Sequence, residues 1–337
     1  MPFLSSGQSQ DKMWASVIAD IDFSKDTVES VFKWVTSNIR YDQKMVPEDG
    51  LYTSKIKLVQ DALKTGKGVC EHYAELFHGL MQYLGYESIV IGGYVRQNEV
   101  INSEFGHVWN AVKVDDKWYL FDPTWASGYT ENGKFYVSYT EEWYKATPQD
   151  FIKTHMPFDP LWQLLDRPYS HADFIANKFT TKPELKFDIE SDVLAEISKS
   201  ELDRLASHIE RIEYAGMPNN LTKRRVMRLK QELDNRRYNE QLDVLNARID
   251  EMNEIVDDFN NYVEARNQGF KRGNWTRSKI EQRAEYMYSR VSELLAFSES
   301  LPVYEGSKNQ PFNSFKTSIN RMSKEVTKVY QEAKNMK

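Results

Sequence analysis

Apolar residues recur at helical spacing through the first third of the chain. Between residues 24 and 39 they return every three or four positions, which predicts an amphipathic helix with Ser24 as its N-cap. A second helical pattern runs from Lys55 to Leu63. A third starts at Cys70 and stops before Gly85, a residue that often follows the last turn of a helix. We therefore expect three helices, the last of which begins at the cysteine.

The pattern then changes to alternation and β-branched residues. Residues 88–96, 107–114 and 117–121 have the period and composition of strands. Asp115 and Asp116 supply the turn between the last two strands, although no glycine supports a tight hairpin there. Helices followed by an antiparallel sheet predict an α+β fold for this part of the chain.

Charged, helix-forming residues dominate beyond about residue 180. A long helix starting near Asn220 carries three heptads of apolar residues, spaced alternately by three and four: Leu242, Leu245, Ile249, Met252, Val256, Phe259 and Val263. Gly269 and Gly273 end it, and further helices are predicted at about 275–298 and 311–335. We interpret this region as an all-α bundle, or a bent hairpin of long helices. Its apolar seam is expected to pack within the chain, with self-association or another protein partner as the alternative.

Length and composition favour two domains. At 337 residues the chain exceeds the size at which one hydrophobic core stops growing. We predict an α+β domain over residues 16–180 and a helical domain over 181–337. Residues 1–15 are expected to be a disordered start or the remnant of a secretory signal. The first eight residues resemble the tail of a bacterial signal, which favours an exported protein over a cytoplasmic one.

Charge and cysteine content exclude several kinds of function. The formal net charge is −6, which argues against a nucleic acid or an anionic membrane as partner. No run of eighteen apolar residues occurs, so we predict no membrane span. Cys70 is the only cysteine, which excludes an intramolecular disulfide and a multi-cysteine zinc site. No acidic loop typical of calcium binding occurs either, and no metal or cofactor is predicted.

Three residues in the α+β part carry candidate chemistry. Cys70 lies at a predicted helix start, where the positive potential favours a thiolate, especially beside an imidazole. His107 lies on one predicted strand, and Asp122 follows the next strand, so their side chains can be neighbours. A carboxylate there would fix the histidine tautomer. Taken singly, the cysteine is better explained as structural and the histidine as filler. Their order Cys, His, Asp makes a nucleophile, a base and an orienting group the sharper interpretation.

The segments around these residues resemble a known family. They are similar to the three core motifs of the transglutaminase-like superfamily, and most similar to its bacterial and fungal group related to kyphoscoliosis peptidase. The resemblance covers about residues 20–170 and continues through Phe151-Ile152-Lys153-Thr154-His155 and Trp162-Gln163-Leu164-Leu165. It rests on Gly68-Val69-Cys70 with Tyr73 and Ala74, on Gly106-His107-Val108-Trp109-Asn110-Ala111-Val112, and on Trp118-Tyr119-Leu120-Phe121-Asp122-Pro123-Thr124-Trp125.

The resemblance implies a papain-like fold and thiol-dependent acyl transfer or hydrolysis on a protein or peptide substrate. Cys70 would attack a carbonyl carbon to form a thioester, His107 would shuttle the proton, and Asp122 would orient His107. Tyr41 is the candidate for the oxyanion hole. Trp109 and Trp125 are candidate walls of the substrate cleft. Protease, transglutaminase and deamidase activities stay open, and a non-catalytic interaction module with a partner-binding helical domain is the alternative.

Residues next to Cys70 allow two further interpretations. Glu71 and His72 fall in the first turn of the predicted helix, and we expect them to face solvent. Glu71 would favour the helix but oppose thiolate formation. His72, Glu75 and His78 recur at helical spacing, so a metal site is conceivable, but nothing in the resembling family supports it.

Overall fold

The computed structural model describes residues 6–46, 54–101, 105–179 and 185–336 of the chain, with the side chains of residues 6–9 excepted. Within these ranges the chain divides into two compact units, Met1–Leu233 and Asp234–Lys337. None of the described helices combines the length and the apolarity needed to cross a bilayer.

Ten α-helices of the described residues begin in the first unit, together with all the described strands. The helices that lie wholly or partly in it are α1 (Ser6–Ile18), α2 (Thr27–Asn38), α3 (Lys55–Thr65), α4 (Cys70–Tyr83), α5 (Pro123–Ser127), α6 (Pro148–Phe151), α7 (His171–Ala176), α8 (Ile189–Ser198), α9 (Glu201–Ala215) and α10 (Asn220–Asn267). The strands are β1 (Arg40–Tyr41), β2 (Lys67–Gly68), β3 (Ser88–Gln97), β4 (Val100–Ile101), β5 (His107–Val114), β6 (Lys117–Phe121), β7 (Gly128–Glu131), β8 (Lys134–Val137) and β9 (His155–Pro157).

The central sheet is antiparallel and is built around β3. This strand pairs with β5 through Gly93↔His107 and with β9 through Gly93↔Pro157, so it lies between them. Strand β6 pairs with β5 through a turn in which Asp115 and Asp116 both have positive φ, the geometry that a two-residue hairpin needs. The α+β fold class and the three predicted strands are confirmed. Two smaller pairs, β1 with β2 and β7 with β8, are additional to the prediction.

Helices cover the sheet and bury two apolar clusters in the first unit. One cluster joins α1, α2, α3 and α4 to the sheet and contains Phe32, Phe77 and Phe121, all fully buried. A second contains Trp109, Phe151 and Leu161. Burial of large aromatic side chains on this scale supplies most of the favourable free energy of a core. The candidate cysteine and histidine therefore stand on elements that are anchored by dense packing.

The start of the chain and the first helix cap differ from the prediction. Residues 1–5 lie outside the described ranges, but Ser6–Ile18 forms helix α1, where a disordered start was expected. Its later residues Trp14 and Val17 pack into the core. Helix α2 is capped by Asp26, whose carboxylate accepts from two first-turn N–H groups, and not by Ser24. A carboxylate at this position also interacts favourably with the helix dipole.

The division between the units lies about fifty residues beyond the expected boundary at 180/181. Helices α8 and α9 belong to the first unit because they pack and pair with it. Arg211 on α9 forms an ion pair with the fully buried Asp159, at 2.7 Å from Nη2 to Oδ2, and a second with Glu196. The composition change near residue 180 marks where the helices become more polar, not where packing onto the sheet stops.

The second unit is formed by the later part of α10 with α11 (Arg277–Ser300) and α12 (Gln310–Lys334). The apolar seam of α10 packs into the core of this unit, but its buried positions shift by one residue toward the end of the seam. Ile255 and Tyr262 are buried where Val256 and Val263 were expected, and Val256 is 37% exposed. A straight helix has 3.6 residues per turn, so a 3.5-residue repeat drifts around it by about 20° per heptad.

Candidate active site

The nucleophile candidate stands at the first position of α4. Its N-cap is Val69, which has no side-chain oxygen, so the N-cap side chain does not satisfy the orphan N–H groups of the first turn. The N–H of Val69 donates to Nδ1 of His72, at 3.2 Å. Gly68 is required here, since a Cβ at this position would come within 2.4 Å of the His72 Cβ. His72 is thus buried, and the expectation that it faces solvent is wrong.

The histidine and aspartate candidates meet directly. Nε2 of His107, at the start of β5, lies 2.6 Å from Oδ2 of Asp122, which follows β6. Asp122 is fully buried and His107 is nearly so. The other carboxylate oxygen, Oδ1, accepts from the N–H groups of Thr124 and Trp125 at the start of α5, at 2.9 and 3.0 Å. One aspartate therefore caps a helix and orients a histidine.

The thiol of Cys70 approaches the same strand. Its sulfur accepts from the backbone N–H of Val108, the residue after His107. The thiol itself donates to Oε2 of Glu71, at 3.1 Å. Glu71 is half-buried and in contact with the cysteine, so the expectation that it is a solvent-facing bystander is wrong.

The surroundings of Cys70 and of Asp122 shift the pKa values of these two groups in opposite directions. Burial raises the pKa of the Cys70 thiol well above its usual value, and Glu71 raises it further, while the Val108 N–H opposes them. Burial would also raise the pKa of Asp122, but His107 and His155 outweigh it and hold that pKa well below its usual range. The structure therefore contains a protonated thiol and an ionised aspartate. The expected lowering of the thiol pKa is not found.

Tyr41 lies beside the nucleophile, where we expected an oxyanion-hole group. It ends β1 and is paired in parallel with Gly68, two residues before Cys70. Burial raises its pKa to about 12, with smaller contributions from Cys70 and Glu71. Its hydroxyl is therefore protonated at neutral pH and able to donate a hydrogen bond.

The two tryptophans proposed as cleft walls have different environments. Trp125 is half-buried, with its ring 5.8 Å from the His107 ring, so it can contribute to a cleft wall. Trp109 is only 1% exposed and packs against Phe151 and His155. It belongs to the core behind the site, and its interpretation as a cleft wall is wrong.

His155 lies in a segment to which the resemblance extends, but no pattern in the sequence places it in the site. Its Nε2 lies 3.1 Å from Oδ2 of Asp122, the same oxygen that His107 contacts. It stands on β9, which reaches the site by pairing with β3, with Val95 opposite His155. Its contact with Asp122 has no local signal in the sequence, because the pairing joins strands that are about sixty residues apart in the chain.

A metal site at His72, Glu75 and His78 is not supported. Each of these side chains has a different partner: Val69 N–H for His72, Lys55 for Glu75 and Ser88 for His78. Among the described residues, the one group of side chains with metal-ligand spacing is His107, Asp122 and His155, whose ligand atoms lie within 4.8 Å of one another. Their mutual hydrogen bonds already account for that spacing.

Residues 12–123 match the family model of the transglutaminase-like superfamily. This part of the chain is a transglutaminase-like domain. The matched range contains Tyr41, Cys70, His107 and Asp122, and it ends before His155.

Curated relatives of this domain include kyphoscoliosis peptidases. The human protein is 29% identical over 176 residues, covering 50% of this chain and 26% of that protein. The mouse protein is 32% identical over 156 residues, covering 44% of this chain and 23% of that protein. The aligned region thus spans about a quarter of the length of these relatives. Among solved structures, a putative cysteine protease from Cytophaga hutchinsonii matches at 21% identity and a TM-score of 0.28, covering 36% of this chain and 40% of that one.

Proposed function

We propose that the transglutaminase-like domain catalyses thiol-dependent acyl transfer or hydrolysis on protein or peptide substrates, with Cys70 as nucleophile, His107 as base and Asp122 as orienting group. The bond from Nε2 of His107 to buried Asp122 carries this proposal. It leaves Nδ1 as the nitrogen that can accept a proton, next to a strand position whose N–H contacts the Cys70 sulfur.

The reaction starts from the neutral thiol. As the carbonyl carbon of the substrate approaches, the thiol proton passes to Nδ1 of His107 and the sulfur forms the new bond. Asp122 stabilises the imidazolium, while the Cys70 N–H and the Tyr41 hydroxyl donate to the oxyanion. The proton then goes to the departing amine, which leaves a thioester. Water or a primary amine attacks the thioester and regenerates the thiol.

The three chemical outcomes are separated by mass spectrometry of a glutamine-containing protein library incubated with and without an amine donor. Peptide cleavage identifies a protease, amine addition a transglutaminase, and a gain of about one dalton a deamidase. Cys70→Ala and His107→Ala should abolish whichever is found. His78→Gln is a matched control, because His78 is also partly buried but bonds to Ser88. Activity that survives Cys70→Ala would overturn the proposal.

A non-catalytic interaction module is the second candidate. The buried, protonated thiol bonded to Glu71 favours it, because such a thiol is a weak nucleophile before substrate binds. This candidate predicts that the intact chain modifies no substrate in the library. It also predicts that Cys70→Ala binds a protein partner as tightly as the unmodified chain.

A further inference from the structure

Both ring nitrogens of His155 have a hydrogen-bond partner. Nε2 lies 3.1 Å from Oδ2 of Asp122, and Nδ1 lies 2.8 Å from the hydroxyl of Thr154. An ionised carboxylate only accepts hydrogen bonds, so Nε2 carries the proton and donates it to Asp122. Nδ1 is then an acceptor for the Thr154 hydroxyl, which has the Phe151 carbonyl oxygen, at 3.3 Å, as its more distant second acceptor. The ionised aspartate therefore fixes the tautomer of His155, and the threonine hydroxyl is compatible with it.

Four donors converge on Asp122 as a result. His107 and His155 share Oδ2, while the N–H groups of Thr124 and Trp125 share Oδ1. A carboxylate with donors on both oxygens has one favoured rotamer and stays ionised. Without His155, the Oδ2 atom would be held by His107 alone, and His107 is the group that has to exchange a proton during the reaction.

An aromatic cage keeps the His155 ring in place. The Phe151 ring stacks on it at 4.0 Å between centroids, and Trp125, Trp143 and Trp109 lie at 4.6, 5.0 and 5.2 Å. The side chain is fully excluded from solvent. Burial lowers its pKa to about 4, although Asp122 opposes this effect. At neutral pH the ring is thus an uncharged donor that contacts no solvent.

We propose that His155 is a positioning residue, which fixes Asp122 in the orientation and ionised form that His107 requires. The inference rests on the proposed function, since it assigns His155 a part in the same reaction. His155 acts through Asp122 and does not touch the substrate, because its ring is enclosed by the cage. His155 lies outside residues 12–123, so the matched part of the chain lacks this second histidine-to-aspartate contact.

Loss of the His155 donor should change the pH dependence of the reaction. His155 is one of the groups that lower the pKa of Asp122, so this pKa should rise when the donor is lost. Asp122 must be ionised to orient His107, so the acid limb of the kcat/KM profile should move upward. The kcat should fall, while KM changes little, since the buried ring makes no contact with substrate.

The experiment compares His155→Phe with His155→Gln. Phenylalanine keeps an aromatic ring in the cage but cannot donate, whereas the glutamine amide places an N–H near the position of Nε2. We expect the shifted acid limb and the lower kcat in His155→Phe, and recovery of both in His155→Gln. Thr154→Val should show a smaller shift in the same direction, because it removes the hydrogen bond to Nδ1 that helps to orient the His155 ring. Phe151→Leu, which alters the cage without removing a hydrogen bond, is the packing control.

An NMR titration of the Asp122 carboxylate makes the test independent of turnover. The pKa of Asp122 should rise in His155→Phe and return in His155→Gln, because the His155 donor is one of the groups that lower it. If it does so in a chain that modifies no substrate, the positioning role stands and the proposed function fails. If both variants are folded and lose activity equally with an unmoved acid limb, His155 is only a packing residue and the inference is overturned. An intact profile in His155→Phe would overturn it too.

Discussion

The carboxylate of Asp122 and the thiol of Cys70 are both buried in the transglutaminase-like domain, yet the groups around them have opposite effects. Asp122 receives four hydrogen-bond donors and is held ionised. Cys70 faces the carboxylate of Glu71 and is held as a thiol, with one backbone N–H on its sulfur. Asp122 already has the ionised form that the proposed reaction needs, whereas Cys70 has to lose a proton first.

In the reaction we propose, this difference locates the step that substrate binding must assist. The histidine–aspartate pair needs no rearrangement, because its geometry and charge are already those that stabilise an imidazolium. The thiol needs either a proton transfer to His107 during attack or a change in its contact with Glu71. With the His107–Asp122 pair already in place and the Cys70 thiol protonated, Cys70 would react only when substrate is bound.

Removal of the Asp122 charge should have the largest effect. In Asp122→Asn, the amide cannot accept from two histidines and stabilise an imidazolium, so kcat/KM should fall by about 10⁴-fold, as when a triad aspartate is lost elsewhere. The measurement is steady-state kinetics on whichever substrate the library identifies.

Asp159→Asn is the matched control for this prediction. Asp159 is also fully buried, but its partners are Arg211 and the N–H of Leu161. Its loss should lower the denaturation temperature and leave kcat/KM close to that of the unmodified chain. Equal losses of kcat/KM in the two variants would mean that Asp122 has a structural role alone.

A Tyr41→Phe variant tests the surroundings of Cys70, the proposed nucleophile. If its hydroxyl donates to the oxyanion, Tyr41→Phe should lower kcat by about 10²-fold with little change in fold stability. Tyr136→Phe is the control, because Tyr136 is exposed on β8, next to the Phe135 that packs near Tyr41. A kcat that is unchanged in Tyr41→Phe would leave the Cys70 N–H as the donor to be tested.

The elements that carry the three candidate residues Cys70, His107 and Asp122 were predictable from local pattern, and the contacts that shift the pKa values of Cys70 and Asp122 were not. Strands β5 and β6 have the predicted bounds, because alternation and the Asp115–Asp116 turn are local signals. Those two strands bring His107 and Asp122 together. His155 reaches Asp122 through the pairing of β9 with β3, and no periodicity reports a pairing between distant segments.

The thiol pKa and the domain boundary also differ from the predictions, for similar physical reasons. The thiol pKa was expected to fall because of the helix start and a neighbouring imidazole, whereas burial of Cys70 and its hydrogen bond to Glu71 depend on the packed structure. The domain boundary was placed by composition. Contacts such as Arg211 with Asp159 hold the polar helices to the first unit, and composition carries no information on such partners.

The free energy of unfolding should depend on pH through His155, which is buried and uncharged at neutral pH. The pKa of His155 is lowered to about 4 in the folded chain, against about 6.5 when unfolded. The unfolded chain therefore binds a proton first as pH falls, and the free energy of unfolding decreases between about pH 6.5 and 4, by up to about 1.4 kcal/mol per pH unit for this group. Urea unfolding at pH 7, 6 and 5 should show a shallower decline in His155→Gln. An identical decline would contradict the lowered pKa.

Replacement of Glu71 should have the smallest effect, and its sign is the sharpest test of the comparison. Glu71→Gln removes the negative charge that raises the pKa of the Cys70 thiol, so iodoacetamide should label Cys70 faster at neutral pH, by about tenfold for a change of one pH unit. Glu75→Gln is the control one helical turn away, since Glu75 pairs with Lys55. Unchanged labelling in Glu71→Gln would mean that burial alone restrains the thiol. Slower labelling would mean that Glu71 helps to remove the proton, and the restraint assigned to this end of the site would be wrong.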